Sequence, residues 1–295
     1  MENQIYYLSQ NLALLLIIVI SSIFILIGIL YSKKHQNLSN YLTAGRNVRS
    51  LSLTTSLVAS ALGAWILFGP ASAATWGGVG SVIGYALGAA FPMLIFIFLG
   101  TRIRKVFPRG NTLTEFVHKK FGKNLFNLVL ILTIFYMFIF LCAEVTAVSM
   151  LINYISGTPL WLTAILIIVT TLAYTLYGGL RASIFTDNIQ FFIVLILLFI
   201  SAYYLFSSNL NHISFEMVKN NSSHLLSIKY IPNYTAGLTF FIAVAATNLF
   251  HQGNWQRIFA AKNNKILKKS LFLSFFIIVS IVFFYGNKWN YGYIS

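Results

Sequence analysis

Residues 51–70 read Leu51-Ser-Leu-Thr-Thr-Ser-Leu-Val-Ala-Ser-Ala-Leu-Gly-Ala-Trp-Ile-Leu-Phe-Gly-Pro70. The run is apolar enough to enter a bilayer, and about 20 residues suffice to cross the hydrocarbon layer as a helix. It is also rich in small and hydroxyl side chains, and Gly63, Gly69 and Pro70 are residue types that weaken or break helices. We therefore predict a membrane-spanning helix that is broken near its middle.

A second apolar span, at residues 236–260, is interrupted as well, because Asn248, His251, Gln252 and Asn254 follow its apolar part. Two interrupted helices in corresponding positions are typical of secondary transporters built from inverted repeats, whose unwound mid-membrane backbone binds solute and coupling ion. Close helix packing is the alternative interpretation, since Gly and small residues are common in membrane helices. The interrupted spans are five positions apart in the order of spans, and this spacing favours a transport site.

The whole chain has the composition of a membrane protein. It contains 295 residues, of which 58% are hydrophobic and 8% are charged, whereas charged residues make up about 25% of an average soluble domain. We expect an all-α, polytopic fold in contact with membrane lipid. Hydropathy predicts eight spans, at residues 12–31, 51–75, 77–100, 125–155, 160–177, 188–206, 236–260 and 270–285.

The basic residues predict the orientation of these spans. If the N-terminus lies outside, all of the 20 lysine and arginine residues except Lys219, Lys229 and Lys288 fall in inner segments, and positive charge is retained on the cytoplasmic side. We expect a multi-pass protein of the cell inner membrane with both termini outside. The net charge of +15 is distributed between apolar spans and not over one soluble face, so we expect no nucleic-acid partner.

Five blocks of sequence carry a family pattern in chain order. They are Tyr41–Arg46, Ala59–Pro70, Asn111–Gly122, Tyr177–Gln190 and Trp255–Ala261. These blocks resemble the sodium:solute symporter family, which includes proline, pantothenate and sugar carriers. The most specific is the fourth, in which Gly-Gly-Leu-Arg-Ala is followed by Thr-Asp and a glutamine. Together the blocks cover most of residues 40–262.

The resemblance implies a leading helix at residues 12–31 and then two five-helix repeats of opposite topology, on the fold typified by the bacterial leucine transporter. Residues 51–206 would form the first repeat, and residues 236–285 would begin the second. Three further core helices would follow Ser295, so we expect this chain to be an incomplete form of such a transporter. The polar residues 286–295 would then be an unrelated tail; the alternative is an authentic outer tail.

The same resemblance implies a sodium site. The family's ion lies between backbone carbonyls of the first core helix and hydroxyls of the eighth, and the carbonyls of Ala59 and Leu62 take the ion-facing positions here. Oxygen ligands of this kind suit an alkali cation. Asp187 matches an aspartate thought to assist sodium on its inward path, with capping of a helix N-terminus as the alternative role. We expect Na⁺ as the coupling ion and no other cofactor or metal.

Four residues are predicted to contact the solute. Glu144 lies well inside a span, where an ionisable side chain is costly and functional by default; it lines the solute cavity or bonds a neighbouring helix. Trp65 is predicted to be a platform in that cavity, unless it packs against lipid or another helix. Asn248 and Gln252 are predicted to hydrogen-bond a polar solute, with bonds between helices as the alternative. Ala61 stands where the proline carriers have an acidic residue, so we expect another solute.

We therefore predict sodium-coupled symport of a small organic solute. Covalent chemistry is not expected, since no nucleophile–base pair or phosphate-binding loop is visible in the sequence. Two other classes stay open at this point. One is a membrane sensor or assembly subunit with transporter-like helices, and a sensor would need a cytoplasmic signalling domain. The other is an inactive transporter remnant, because only two of the five helices of the second repeat are predicted.

Overall fold

The computed structural model describes residues 6–32, 38–207, 219–220, 222–227 and 229–286, and the regular elements in those ranges are helices. Short 3₁₀ helices at Ala44–Arg46, Ala64–Leu67 and Ser223–Leu226 connect longer ones. The α-helices are α1 (Gln10–Ser32), α2 (Leu38–Thr43), α3 (Ser50–Ala61), α4 (Gly69–Val106), α5 (Leu113–Phe121), α6 (Lys123–Ser156), α7 (Leu160–Ser207), α8 (Ile231–Leu249), α9 (Gln252–Ala260) and α10 (Asn264–Gly286).

Five helices in the described ranges are long and apolar enough to cross a membrane. Two of these segments, Ala64–Val106 and Leu160–Ile200, have 43 and 41 residues, about twice the length that one span needs. Each contains one glycine whose backbone is not helical, Gly78 in α4 and Gly179 in α7. Each long helix therefore consists of two parts.

In α4 the chain folds back on itself at Gly78, whose φ of 62° and ψ of −159° are readily adopted only by glycine. An uninterrupted helix would separate Gly69 from Tyr85 by about 24 Å, at 1.5 Å per residue. In the structure, a Cβ atom added to Gly69 would lie 3.3 Å from the Tyr85 hydroxyl. Residues 69–77 and 79–106 therefore belong to two neighbouring spans.

α7 breaks in the same way at Gly179, where φ is 59° and ψ is −160°. In both helices the break falls on the second residue of a Gly-Gly pair. The carbonyls of Thr175 and Leu176, at the end of the first half of α7, accept the Tyr41 hydroxyl at 2.8 and 3.2 Å. Tyr41 thus supplies a partner for carbonyls that a continuing helix would have bonded.

The helix that contains the sixth predicted span begins earlier than residue 188. The helix resumes at residue 180, directly after the break. Arg181 and Asp187 lower the hydropathy of this part, but both have partners, since Arg181 donates to the Ala44 carbonyl at 3.3 Å and Asp187 forms a buried ion pair. Polar groups with partners cost less to bury than unpaired ones. With both breaks counted, helices account for all eight predicted spans, and their division into two repeats stays a prediction.

The second half of α4 packs closely against α8 through a row of glycines. Gly80, Gly84 and Gly88 recur every four residues and so lie on one face of the helix. A Cβ atom at Gly84 would overlap the backbone carbonyl of Gly237 on α8, and one at Gly88 would lie 2.9 Å from the carbonyl of Phe240. Small residues let helix backbones approach closely in a membrane. This contact positions α8, whose C-terminal end forms part of the candidate site.

Candidate functional site

The first predicted interruption lies at the end of α3. The helix stops at Ala61, and Leu62 (φ −100°, ψ 80°) and Gly63 (φ −87°, ψ 179°) leave the helical conformation before a 3₁₀ helix begins. The last bond of the α-helix runs from the Leu62 N–H to the Val58 carbonyl, at 3.0 Å. Because the final carbonyls of a helix have no partner in a following turn, those from Ala59 onward are available to a ligand.

Ala59 and Leu62, the predicted sodium ligands, flank this break, and both are partly exposed. Ser60 lies between them, and its buried hydroxyl has no hydrogen-bond partner among the described residues. Backbone carbonyls and hydroxyls are the hard oxygen donors that replace the hydration shell of an alkali cation. The donor set at this break therefore fits Na⁺.

Glu144 on α6 reaches the same break. Its Oε2 atom accepts the backbone N–H of Ala64 at 2.6 Å. This approach requires Gly63, because a Cβ atom on that residue would overlap the carboxylate. The second oxygen, Oε1, is buried and has no hydrogen-bond partner within the part of the chain that the structure describes. The structure thus brings the predicted intramembrane carboxylate to the backbone next to Trp65.

Trp65 begins a stack of three aromatic rings. It stacks on Tyr85 of α4 with ring centroids 5.5 Å apart and planes at 25°, and Tyr85 stacks on Phe240 of α8 at 4.5 Å and 28°. The buried indole N–H of Trp65 has no acceptor among the residues described. The stack connects the first break to the helix that leads to the second.

The second predicted interruption separates α8, which ends at Leu249, from α9, which begins at Gln252. The Asn248 carbonyl accepts the His251 N–H at 3.2 Å, and the Asn248 side-chain amide donates to the Val244 carbonyl of its own helix at 2.9 Å. Asn248, a predicted solute ligand, therefore uses an amide hydrogen within α8. Gln252 has a buried Oε1 atom without a hydrogen-bond partner in the described ranges, so this acceptor is available to a ligand.

One face of α6 touches both breaks. Tyr136, Phe140 and Glu144 are spaced by four residues and so line this face. The His251 ring packs edge-on against Phe140, with centroids 5.1 Å apart, and against Tyr136 at 6.2 Å. Glu144, one turn further along, bonds Ala64 at the first break. The two interrupted spans therefore meet the same side of α6.

Asp187 lies in a polar triad with Ser56 and Arg257. Its Oδ2 atom accepts the Ser56 hydroxyl at 2.5 Å and Nη2 of Arg257 at 2.6 Å, while Nε of Arg257 donates to the Ser56 hydroxyl at 2.7 Å. The triad joins α3, α7 and α9 about one turn before the first break. Asp187 lies well inside the helix that resumes after Gly179, so capping does not explain its position. Its sodium role stays a prediction.

The sequence counted Arg257 with the basic residues of the inner segments and did not identify it as part of a buried site. Arg257 lies in α9 and is 5% exposed, and its Nη1 atom donates to the Gly253 carbonyl at 2.9 Å in addition to the bonds of the triad. The partners Asp187 and Arg257 are 70 residues apart, so no local pattern connects them. One sequence signal could have indicated the pair. Asp187 follows the Gly-Gly break and Arg257 follows the break in the second interrupted span, so each lies close to a point where a helix breaks.

Two cavities lie toward opposite ends of the α6 face. The first, of about 510 Å³, is lined by Tyr6, Phe68, Met150, Tyr154 and Leu160 among others. The second, of about 280 Å³, is lined by Tyr41, Met137, Thr175, Gln252 and Arg257 among others. Met137 and Met150 are about 20 Å apart along α6, at 1.5 Å per residue, and Glu144 lies between them.

Comparison with known proteins agrees with this geometry. Residues 41–287 match the model of the sodium:solute symporter family. The chain is 30% identical over 260 residues to a spermidine transporter of Candida albicans, covering 88% of this chain and 49% of that protein. It is 28% identical over 263 residues to a sodium/proline symporter of Haemophilus influenzae, covering 83% of this chain and 51% of that protein. The chain thus spans about half the length of these relatives.

A solved structure has the same fold. A Na⁺-coupled sialic acid symporter, in a substrate-bound outward-open state, matches with a TM-score of 0.74 at 17% identity, covering 96% of this chain and 61% of that chain. The predicted fold class, an all-α polytopic protein on part of the inverted-repeat symporter fold, is confirmed. The family match spans all five sequence blocks and both helix breaks. This chain belongs to the sodium:solute symporter family.

Proposed function

We propose that this chain takes part in sodium-coupled symport of a small organic solute across the cytoplasmic membrane, with its N-terminus outside. The observation that carries the proposal is the meeting of two interrupted helices on one face of α6. Trp65, Glu144 and Gln252 each have a buried polar atom at these breaks that has no hydrogen-bond partner in the described ranges. Irregular backbone at membrane depth is tolerated where it lines a cavity or is buried in protein, and in transporters it is where ion and solute bind.

The residues at the two breaks divide into ion and solute ligands. The carbonyls of Ala59 and Leu62 hold Na⁺, and Asp187 assists the ion one turn away. Trp65, Glu144 and Gln252 contact the solute, whereas Asn248 shapes the second break through its bond to its own helix. No step of this function makes or breaks a covalent bond, because transport needs only a site that is open to each side of the membrane in turn.

The names of the relatives give a panel of candidate solutes. They include carriers of spermidine, proline, urea and myo-inositol. Ala61 argues against proline, because the proline carriers have an acidic residue at the matching position.

The test uses the cells that produce the protein. The gene is deleted and then restored, and uptake of each radiolabelled solute in the panel is measured in right-side-out membrane vesicles with an imposed sodium or potassium gradient. We expect deletion to abolish sodium-driven uptake of one solute and restoration to recover it. If deletion leaves the sodium-driven uptake of every solute unchanged, the proposed function is wrong.

A further inference from the structure

We propose that Glu144 is the anionic anchor for a positively charged solute, an organic ammonium ion. The inference rests on the proposed function, because it names the solute class of the same site. It depends on which partners one carboxylate has among the described residues.

Among the residues that the structure describes, no cationic side chain forms an ion pair with Glu144. Two carboxylates, Asp187 and Glu144, lie in the spanning helices that the structure describes. Asp187 is paired with Arg257 at 2.6 Å, and the other ion pair in the described ranges, between Lys119 and Glu115, lies on α5. Glu144 forms none of these pairs. An unpaired charged carboxylate is costly in a low-dielectric interior, and a cation supplied by a ligand would offset that cost.

The hydrogen bonds of Glu144 are also incomplete. An ionised carboxylate has two oxygens that only accept hydrogen bonds. Oε2 accepts the Ala64 N–H, whereas Oε1 is buried without a partner among the described residues. A buried polar atom without a partner carries a desolvation cost. A primary ammonium group carries three N–H donors and a positive charge, and it would satisfy both deficits at once.

Aromatic side chains lie on the same face of α6 as Glu144 and next to the residue that bonds it. Phe140 precedes Glu144 by one turn and Tyr136 by two, and Trp65 follows the residue that bonds the carboxylate. A carboxylate near aromatic rings suits an organic ammonium ion, because ring faces attract cations while the alkyl part of the ion packs against apolar surface. An uncharged solute could donate to Oε1, but it would leave the negative charge uncompensated.

The sodium site offers a different environment. The carbonyls of Ala59 and Leu62 and the hydroxyl of Ser60 belong to the end of α3, and these neutral oxygens can replace water around Na⁺. Glu144 instead bonds the N–H at the start of the next helix, on the other side of Gly63. The geometry therefore separates a neutral set of donors for the ion from a charged acceptor for the solute.

The test compares two probes of equal length in vesicles from cells that produce the full chain. The cationic probe is radiolabelled 1,4-diaminobutane, and the uncharged probe is 1,4-butanediol. We expect the protein to take up the diamine in a sodium gradient and the diol at least about tenfold less, since a tenfold ratio corresponds to the worth of one modest ion pair. Vesicles from cells lacking the gene give the background.

Three variants assign the selectivity to Glu144. We expect Glu144→Gln to lower the apparent affinity for the diamine about tenfold or more, and Glu144→Asp to retain the preference for the diamine over the diol. Glu115→Gln removes a carboxylate that lies on α5 outside the site and should change neither value. Immunoblots of the vesicles correct each rate for the amount of protein, so a folding defect is distinguished from a loss of recognition.

Several outcomes would overturn the inference. Equal uptake of diamine and diol, no uptake of the diamine, or Glu144→Gln uptake equal to that of the unaltered protein would each do so. A fall in sodium affinity for Glu144→Gln with unchanged diamine affinity would make Glu144 an ion ligand, and the proposed symport would stand. If gene deletion abolished sodium-driven uptake but every solute carried were uncharged, the solute class would be wrong and the proposed symport would stand.

Discussion

The guanidinium of Arg257 lies 2.6 Å from the carboxylate of Asp187, and the two side chains are 6% and 13% exposed. The pair joins the second half of α7 to α9, which follows the second helix break. Ser56 on α3 bonds both partners, so three segments from distant parts of the sequence meet at one polar point. The position of α9 relative to the first break therefore depends on these bonds.

Removing the arginine should destabilise the protein. Arg257→Met leaves Asp187 buried without its cation, and breaking such a pair costs about 3–5 kcal/mol. We expect a clearly lower midpoint of thermal unfolding for the purified chain in detergent, and partial recovery when Asp187→Asn is added. Lys268→Met, on the exposed side of α10, is the matched control. An unchanged midpoint for Arg257→Met would show that the pair does not hold the helices together.

Gly63→Ala should impair solute recognition through Glu144. The added Cβ atom would overlap the carboxylate, so the side chain must leave its bond to the Ala64 N–H. We expect solute affinity to fall about tenfold, as measured by uptake in vesicles. In a background of Glu144→Ala the same change should have little further effect, since residues in direct contact show non-additive effects. If the two substitutions lowered solute affinity additively, Gly63→Ala would not act through Glu144.

Gly84→Val should separate α4 from α8. A side chain there meets the backbone of Gly237, and close packing at small residues is what brings membrane helices together. We expect reduced thermal stability and less folded protein on size-exclusion chromatography. Leu87→Phe, at an exposed position nearby on the same helix, should behave like the unaltered chain. Equal stability of both variants would count against this helix contact.

The orientation of the chain can be tested with cysteines. Lys105 and Lys265 are predicted to face the cytoplasm and Lys219 the outside, following the distribution of basic residues. In a Cys142→Ala background, which removes the chain's one native thiol, each lysine is replaced in turn by cysteine. An impermeant thiol reagent applied to intact cells should label only position 219. Labelling at position 105 would reverse the predicted topology.

The sequence predicts both helix breaks because local composition causes them. Glycine at position 63 and the polar residues from Asn248 onward weaken the helix where the structure interrupts it. It also predicts that Glu144 lies in a span, since one charge in an apolar run is visible without tertiary information. By contrast, the start of the sixth span was placed too late, because hydropathy scores Arg181 and Asp187 as unpaired charges.

The parts of the site that the sequence did not predict depend on contacts between distant residues. Nothing near Arg257 in the sequence identifies Asp187 as its partner, and the bond from Ala64 to Glu144 joins residues 80 positions apart. The use of an Asn248 amide hydrogen within its own helix is local, but it depends on the side-chain rotamer. Such contacts follow from the packed fold and not from residue type or spacing.

The central claim is that the chain's two helix breaks bind ion and solute in a coupled way. The most direct measurement is equilibrium binding of ²²Na⁺ to membranes from producing cells, with and without a saturating amount of the solute identified by uptake. Coupling free energy is reciprocal, so we predict that solute tightens sodium binding by the same factor by which sodium tightens solute binding. Saturable sodium binding that is indifferent to the solute would contradict the account.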